Sequence, residues 1–162
     1  MNKIIYLFLV FPCICHSNGN VSSNIEISAS IKSVCTIDMP TSVKIHDIPI
    51  IDLSNLNPGN QLEKYQNNFT INTECYGATN YSLEFIANKS QSSFGCLNTS
   101  PSDMLYFCLK DDNGELIDFS NGNVVINGYT KKKEINVVPA KGILPPKPGN
   151  YVTSITVKIE PK

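Results

Sequence analysis

Near its C-terminal end the chain reads NYVTSITVKIEP over residues 150–161. From Tyr151 to Ile159, mostly apolar side chains alternate with mostly polar ones, and this period of two predicts a strand with one buried face. A proline-rich stretch, residues 145–149, introduces the strand, and no turn or further strand follows it. We therefore expect a final strand whose outer edge is open to a segment from another molecule.

The first seventeen residues have the pattern of a secretory signal peptide. Lys3 precedes an apolar run over residues 4–11, and small residues follow at Cys15 and Ser17. The run is too short to span a bilayer, so we expect cleavage after Ser17 and no membrane insertion. Residues 18–162 then form a single domain. The alternative interpretation of the apolar run is a buried N-terminal strand.

Composition narrows the class of protein. All thirteen basic residues are lysines, and the formal net charge is −1. Because arginine usually supplies the bidentate contacts to phosphate and guanine, its absence argues against a nucleic-acid partner. Helical periodicity is almost absent, whereas alternation and turn signals recur at short spacing. This pattern predicts an all-β sandwich of seven or eight strands.

The predicted strands follow from alternation between turn residues. Residues 25–37 alternate, and an extended segment continues to Leu53. Asn113-Gly114 predicts a two-residue hairpin turn in which both residues have positive φ, and this turn explains the acidic residues 111–115 better than a calcium loop does. Further strands are predicted over residues 69–75, 81–87, 105–109, 124–126 and 135–137.

Four cysteines remain after residue 17, and an even number in a secreted chain indicates two disulfides. Cys35 and Cys75 share the parity of the apolar residues in their strands, so both sulfurs face the apolar side. Cys96 and Cys108 are close in sequence. We predict the pairs Cys35–Cys75 and Cys96–Cys108, worth roughly 4 and 3 kcal/mol by chain entropy. Four reduced cysteines, or a zinc site without any C-x-x-C spacing, are the alternatives.

These features together resemble the subunits of bacterial chaperone–usher fimbriae, the pilins. The resemblance lies in the signal peptide, in SVCTI at residues 33–37, in FTINTEC at residues 69–75 and in PGNYVTSITV at residues 148–157. It implies an incomplete immunoglobulin-like sandwich that lacks its last strand and is completed by a donor strand from another subunit. It also implies secretion through the periplasm to the cell surface, where the subunits form a fimbrium.

The resemblance further implies the partners and the binding edge. The partners are a periplasmic chaperone, an outer-membrane usher and neighbouring pilus subunits. The carboxylate of Lys162 would anchor in the chaperone's basic cleft. Many pilins carry an aromatic residue next to last, where this chain has Pro161. By the same resemblance, Tyr151, Ile155, Val157 and Ile159 would form the edge of the chaperone-binding groove.

The donor segment has two interpretations. If residues 25–35 belong wholly to the first strand, the free extension is only residues 18–24, which are short and polar, as in a terminal or tip subunit. In the second interpretation, residues 18–31 are an N-terminal extension whose donor strand also resembles the N-terminus of colonisation-factor pilins. We favour the second, in which the groove-filling side chains are Ile25, Ile27, Ala29 and Ile31.

We therefore expect a fimbrial subunit, assembled by donor-strand exchange, that contributes to bacterial attachment to host surfaces. The alternative is a tip or minor adhesin of the same fimbria that binds a host glycan or protein receptor. A secreted disulfide-bonded enzyme is the third possibility. His46 is the only histidine after residue 17, and no nucleophile motif lies near it. We expect no enzyme activity, no cofactor and no metal.

Overall fold

A computed structural model describes residues 25–89 and 94–162. The expected signal peptide, residues 1–17, and the beginning of the extension lie outside the described residues. The chain divides into two units, one ending at Ile31 and the other comprising Lys32–Lys162. In the first unit, residues 25–31 have no regular secondary structure, and Ile25, Ile27 and Ile31 are 83, 90 and 100 % exposed.

The described part of the second unit contains eight strands, one short α-helix and a 3₁₀ turn over Glu63–Tyr65. In chain order the elements are β1 Val34–Asp38, α1 Ile50–Ser54, β2 Asn67–Tyr76, β3 Tyr81–Ala87, β4 Leu97–Asn98, β5 Leu105–Lys110, β6 Val124–Gly128, β7 Lys132–Lys141 and β8 Ile155–Pro161.

The strands form two antiparallel sheets. The larger sheet has the order β1-β2-β7-β5-β4, and the smaller has the order β6-β3-β8. One core joins them, because Ile71 and Ile135 of the larger sheet pack in the same buried cluster as Leu83 and Phe85 of the smaller one. The fold is therefore the all-β, immunoglobulin-like sandwich expected from the sequence.

Alternation in the sequence explains why β2 forms. Phe69, Ile71 and Thr73 are buried, whereas Asn72 and Glu74 between and after them are exposed, so one face of the strand lies on the core. The first strand is shorter than the alternation of residues 25–37 suggests, since β1 begins only at Val34. The alternating segment 25–31 therefore lies outside β1.

Both disulfides have the pairing that strand parity and sequence proximity predict. Cys35 and Cys75 are directly paired residues of β1 and β2, and their bridge fastens this edge strand to the sheet. Cys96 and Cys108 are bridged as well, and they lie fully buried in a small cluster with Tyr106 and Ala140.

The prediction of an extended segment reaching Leu53 is wrong, because residues 50–54 form α1. The Asp52 amide donates to the Pro49 carbonyl at 3.0 Å, and the Ser54 hydroxyl donates to the Ile50 carbonyl at 2.8 Å. Leu53 lies on this helix and packs in a buried cluster with Leu62 and Leu105. A short apolar run cannot be assigned to helix or strand by periodicity alone, and here tertiary packing decides.

The predicted two-residue turn at Asn113-Gly114 is also wrong. Gly114 has a φ of 80°, but Asn113 is not among the residues with positive φ. Instead, the Asp111 amide donates to the Glu115 carbonyl at 2.9 Å, which closes a three-residue connection. The Asp111 carboxylate accepts hydrogen bonds from the Asn113 and Glu115 amides, each at 2.9 Å, so this side chain stabilises the turn.

Candidate strand-binding groove

An apolar groove of about 890 Å³ lies between two segments of the second unit. Residues 39–48 form one wall, and residues 146–155, which lead into β8, form the other. The floor is formed by core side chains, mostly of the larger sheet, namely Phe69, Leu97, Leu105, Phe107, Leu109 and Val137. Such a lining suits an apolar occupant.

The first wall, residues 39–48, lacks a strand partner. Within the described part of the chain, its peptide groups form no backbone–backbone hydrogen bond, although the Lys44 carbonyl accepts one from the Asn67 side-chain amide at 2.9 Å. Met39, Val43 and Ile45 pack against the core but stay half-buried. This wall therefore offers both apolar surface and unpaired main chain to an occupant.

The second wall continues into β8, which is an edge strand of the smaller sheet and pairs with β3 on one side. The Asn88 amide donates to the Ser154 carbonyl at 3.2 Å, and the Lys162 amide donates to the Asn80 carbonyl at 2.9 Å. Because hydrogen-bonded and non-hydrogen-bonded pairs alternate in an antiparallel ladder, the even-numbered residues of β8 bond to β3. The peptide groups of the odd-numbered residues face the open edge.

The predicted groove-edge residues divide between the groove and the core. Tyr151 and Ile155 line the groove. Val157 is buried and Ile159 half-buried in the core, and both lie beyond the groove lining on the same edge strand. The space beside β8 is narrow where β1 comes within 8 Å of it between Cα atoms.

Lys162 lies past the end of β8, outside the groove lining. Its ammonium group donates to the Asn127 side-chain carbonyl at 2.6 Å. The predicted donor residues Ile25, Ile27, Ala29 and Ile31 belong to the other unit, where they are exposed. Their role, like the chaperone contact of Lys162, stays a prediction.

Ile50 and Leu53 of helix α1 also line the groove, a feature that the sequence prediction missed. Leu53 lies in a buried cluster that also contains Tyr151, and the Tyr151 hydroxyl donates to the Lys147 carbonyl at 2.6 Å. The signal in the sequence was the acidic Asp52, which lies in the first turn of α1.

A polar cluster holds α1 in place from outside. The Lys64 ammonium lies 2.8 Å from the Asp52 carboxylate, and the Tyr65 hydroxyl donates to the same carboxylate oxygen. The hydrogen bond from Lys64, followed by that from Tyr65, holds the pKa of Asp52 below its usual range. The same contact with Asp52 raises the pKa values of Lys64 and Tyr65. At neutral pH Asp52 and Lys64 are therefore charged, and the Tyr65 hydroxyl keeps its proton.

Polar side chains also line the groove. Thr153 supplies a polar atom in its lining, a buried hydroxyl oxygen with no hydrogen-bond partner among the described residues. His46 also lines the groove. Within residues 25–89 and 94–162, no group of three or more His, Cys, Asp or Glu side chains could hold a metal ion.

The helices of the described residues are all too short or too polar to cross a membrane.

Comparison with solved structures finds similarities of fold. The chain is similar to a chain in a chaperone–tip adhesin complex of CFA/I fimbriae, with a TM-score of 0.44 and 18 % sequence identity. The similarity covers 79 % of this chain and 42 % of that one, so this chain matches less than half of the length of the other. The sequence matches no protein-family model and no curated protein.

Proposed function

We propose that this chain is a fimbrial subunit of the chaperone–usher type that is one β-strand short and receives this strand from a second copy. The observation that carries the proposal is the unpaired edge of β8 beside an apolar groove. An added strand at such an edge gains affinity from main-chain hydrogen bonds, and its alternate side chains fill pockets that fix its register. The proposed role is structural, without catalysis or a cofactor.

The proposed occupant is the segment of residues 25–31 from a second copy. Ile25, Ile27, Ala29 and Ile31 alternate with Glu26 and serines, so the segment has one apolar face, and its isoleucines are exposed in this structure. Burying three isoleucines contributes roughly 5–9 kcal/mol. Ordering seven residues costs roughly 7–14 kcal/mol. The gain from burial and the cost of ordering are similar, so main-chain hydrogen bonds of roughly 1 kcal/mol each decide whether binding is favourable. Pairing with the edge of β8 therefore matters as much as filling the pockets.

The remaining parts of the proposal concern assembly. An apolar groove of this size favours association in the unfilled state. We propose that a periplasmic chaperone covers the groove before assembly, that an outer-membrane usher passes the subunit to the cell surface, and that the finished fimbrium attaches the bacterium to host surfaces.

The proposal is tested by supplying the missing strand within one chain. A copy of residues 24–33 is appended after Lys162 through a short glycine–serine linker, and thermal unfolding is compared with that of the unmodified chain. Taking a net gain of about 2 kcal/mol and about 4 °C per kcal/mol, we expect the melting temperature to rise by about 8 °C. We also expect a larger monomer fraction in size-exclusion chromatography.

The control carries the same appended copy with Ile27→Asp within it. A charge placed in an apolar pocket is costly, so this copy should give little or no rise in melting temperature. The proposal fails if the unaltered copy changes neither the melting temperature nor the monomer fraction, or if the Ile27→Asp copy has an equal effect.

A further inference from the structure

Pro161 is the last residue of β8 and stands opposite Tyr81 of β3. Its neighbour Lys162 bonds to Asn80, so Pro161 belongs to the odd-numbered residues whose peptide groups face away from β3. The missing N–H of this proline therefore costs the β3–β8 ladder nothing. What it removes is a hydrogen-bond donor at the open edge, which is where proline is tolerated in sheets.

The donors and acceptors of the open edge can be followed back along the chain. Ile155, Val157 and Ile159 each present an N–H and a C=O to the edge. Thr153 has the same parity, and in the described residues it forms no backbone–backbone hydrogen bond, whereas Val152 is bonded to Ser100 at 2.8 and 3.2 Å. The edge with complete peptide groups therefore extends from Thr153 to Ile159.

We propose that Pro161 ends the pairing edge, so that a strand added to β8 forms its ladder over Thr153–Ile159 and no further. This inference rests on the proposed function, because it concerns the register of the same added strand. Residues 153–159 and residues 25–31 are both seven residues long, with four positions of one parity in each. The segment of a second copy thus matches the edge in length. Neighbouring strands lie about 4.8 Å apart, so a strand between β8 and β1 needs about 9.6 Å, and β1 must move outward from its position within 8 Å of β8.

The apolar pattern alone does not fix the register of the added strand against β8, so a residue that ends the ladder is needed. A slip by one residue turns every side chain of the added strand to the wrong face, and burial forbids it. A slip by two residues keeps all side chains on the correct face. Pro161 resists such a slip towards the C-terminus, and the cluster of Tyr151 with α1 resists it in the other direction.

The test is residue-resolved amide hydrogen exchange, measured by NMR on the secreted chain with and without an appended copy of residues 18–33. Without the copy, the amides of Ile155, Val157 and Ile159 should exchange fast. With the copy, they should become protected. The amides at the even-numbered positions 156, 158 and 160 bond to β3 and should be protected in both chains.

Pro161→Val then restores the missing donor. With the copy appended, the new amide at position 161 should become protected, and the appended strand should open about five-fold less often, the effect of about one hydrogen bond. Glu160→Val is the matched control. It adds the same side chain at an exposed neighbouring position whose peptide group bonds to β3, so the appended strand should open as often as before. Pro161→Ala provides the same new amide without the β-branched side chain.

The outcomes separate this inference from the proposed function. If the appended copy protects none of the odd-numbered amides, the acceptor edge is wrong and the proposed function fails. If it protects Ile155 but not Ile159, the narrowing beside β1 ends the ladder, and the role of Pro161 is refuted. The same holds if Ile155, Val157 and Ile159 become protected while the new amide in both position-161 variants exchanges as an unbonded one.

Discussion

Replacing Cys35 and Cys75 together by alanine should weaken both the fold and the groove. Their disulfide fastens β1 to β2 at the edge of the larger sheet, and β1 leads directly into residues 39–48, the first groove wall. Because this wall has no backbone–backbone hydrogen bond of its own in the described structure, its position depends on β1. Loss of the bridge should therefore loosen this wall of the groove and weaken the binding of an added strand.

The loss of unfolding free energy for each disulfide follows from the length of the loop that it closes and from the burial of its cysteines. The Cys35–Cys75 bridge spans 40 residues, so its removal costs about 4 kcal/mol by chain entropy. The Cys96–Cys108 bridge spans 12 residues and costs about 3 kcal/mol on the same basis. However, Cys96 and Cys108 are 1 and 0 % exposed, and alanine there leaves cavities worth about 1 kcal/mol each. Cys35 and Cys75 are half-buried against the core, so alanine costs less there. The shorter bridge should thus cost about 5 kcal/mol in total, and the longer one slightly less.

The assay combines urea unfolding with the appended copy of residues 24–33. The Cys96→Ala/Cys108→Ala chain should be the less stable of the two variants, but it should keep most of the stabilisation that the copy provides, because six residue pairs still hold β5 to β7. The Cys35→Ala/Cys75→Ala chain should be more stable, yet lose at least half of that stabilisation.

Two results would refute this reasoning. If the Cys35→Ala/Cys75→Ala chain is the less stable one, the cavities left at Cys96 and Cys108 cost less than the extra chain entropy of the longer loop. If both variants keep the same stabilisation from the appended copy, the bridge to β1 does not position the groove wall.

Three further predictions concern the fold. Lys141 is 6 % exposed, and burial lowers its pKa, so its charged form is disfavoured in the folded state. The free energy of unfolding should therefore rise as the pH approaches 10.5, the ordinary pKa of lysine. Lys141→Met should remove this rise and stay within about 1 kcal/mol of the original chain at pH 7. A Cβ at Gly142 would lie 2.2 Å from the Asp103 carbonyl oxygen, so Gly142→Ala should cost about 3 kcal/mol in urea unfolding. Asp111→Ala should cost about 1 kcal/mol and lower the melting temperature by about 4 °C, because two turn amides lose their acceptor.

Each of these predictions has a contradicting result. An unchanged rise of stability with pH in Lys141→Met would assign the rise to other groups. Full stability of Gly142→Ala would mean that the Asp103 segment can move aside, and an unchanged melting temperature in Asp111→Ala would mean that Gly114 alone makes the turn.

Much of the fold could be predicted from local pattern. Alternation located β2 and β3, since each has one face on the core, and parity placed Cys35 and Cys75 on facing strands. The strand predicted over Tyr151–Ile159 begins too early, because β8 starts only at Ile155. Local pattern failed where a contact distant in sequence decides the structure. Leu53 sits in a helix because Leu62 and Leu105 bury it there, and the turn at Asn113 follows the carboxylate of Asp111.

The groove was only partly predictable. The sequence indicated one wall, Tyr151–Ile159, but not where the groove ends along it, since that depends on how close β1 lies to β8. The opposite wall, residues 39–48, could not be recognised as unpaired, because strand order is not encoded locally. The burial of Lys141 was equally hidden, because lysine is rarely buried. Its ammonium group donates to the Gly142 and Leu144 carbonyls, which the sequence does not indicate.

The direction of β8 has a mechanical consequence. β8 is paired with β3 over seven residues, and a strand added to its other edge would lie along the same axis. If copies of the chain are linked in this way, tension along the filament loads that junction in shear, so the hydrogen bonds of the ladder share the force and must stretch together. A junction pulled across its strands would instead unzip one bond at a time. The edge placement of β8 therefore favours a filament that withstands pulling.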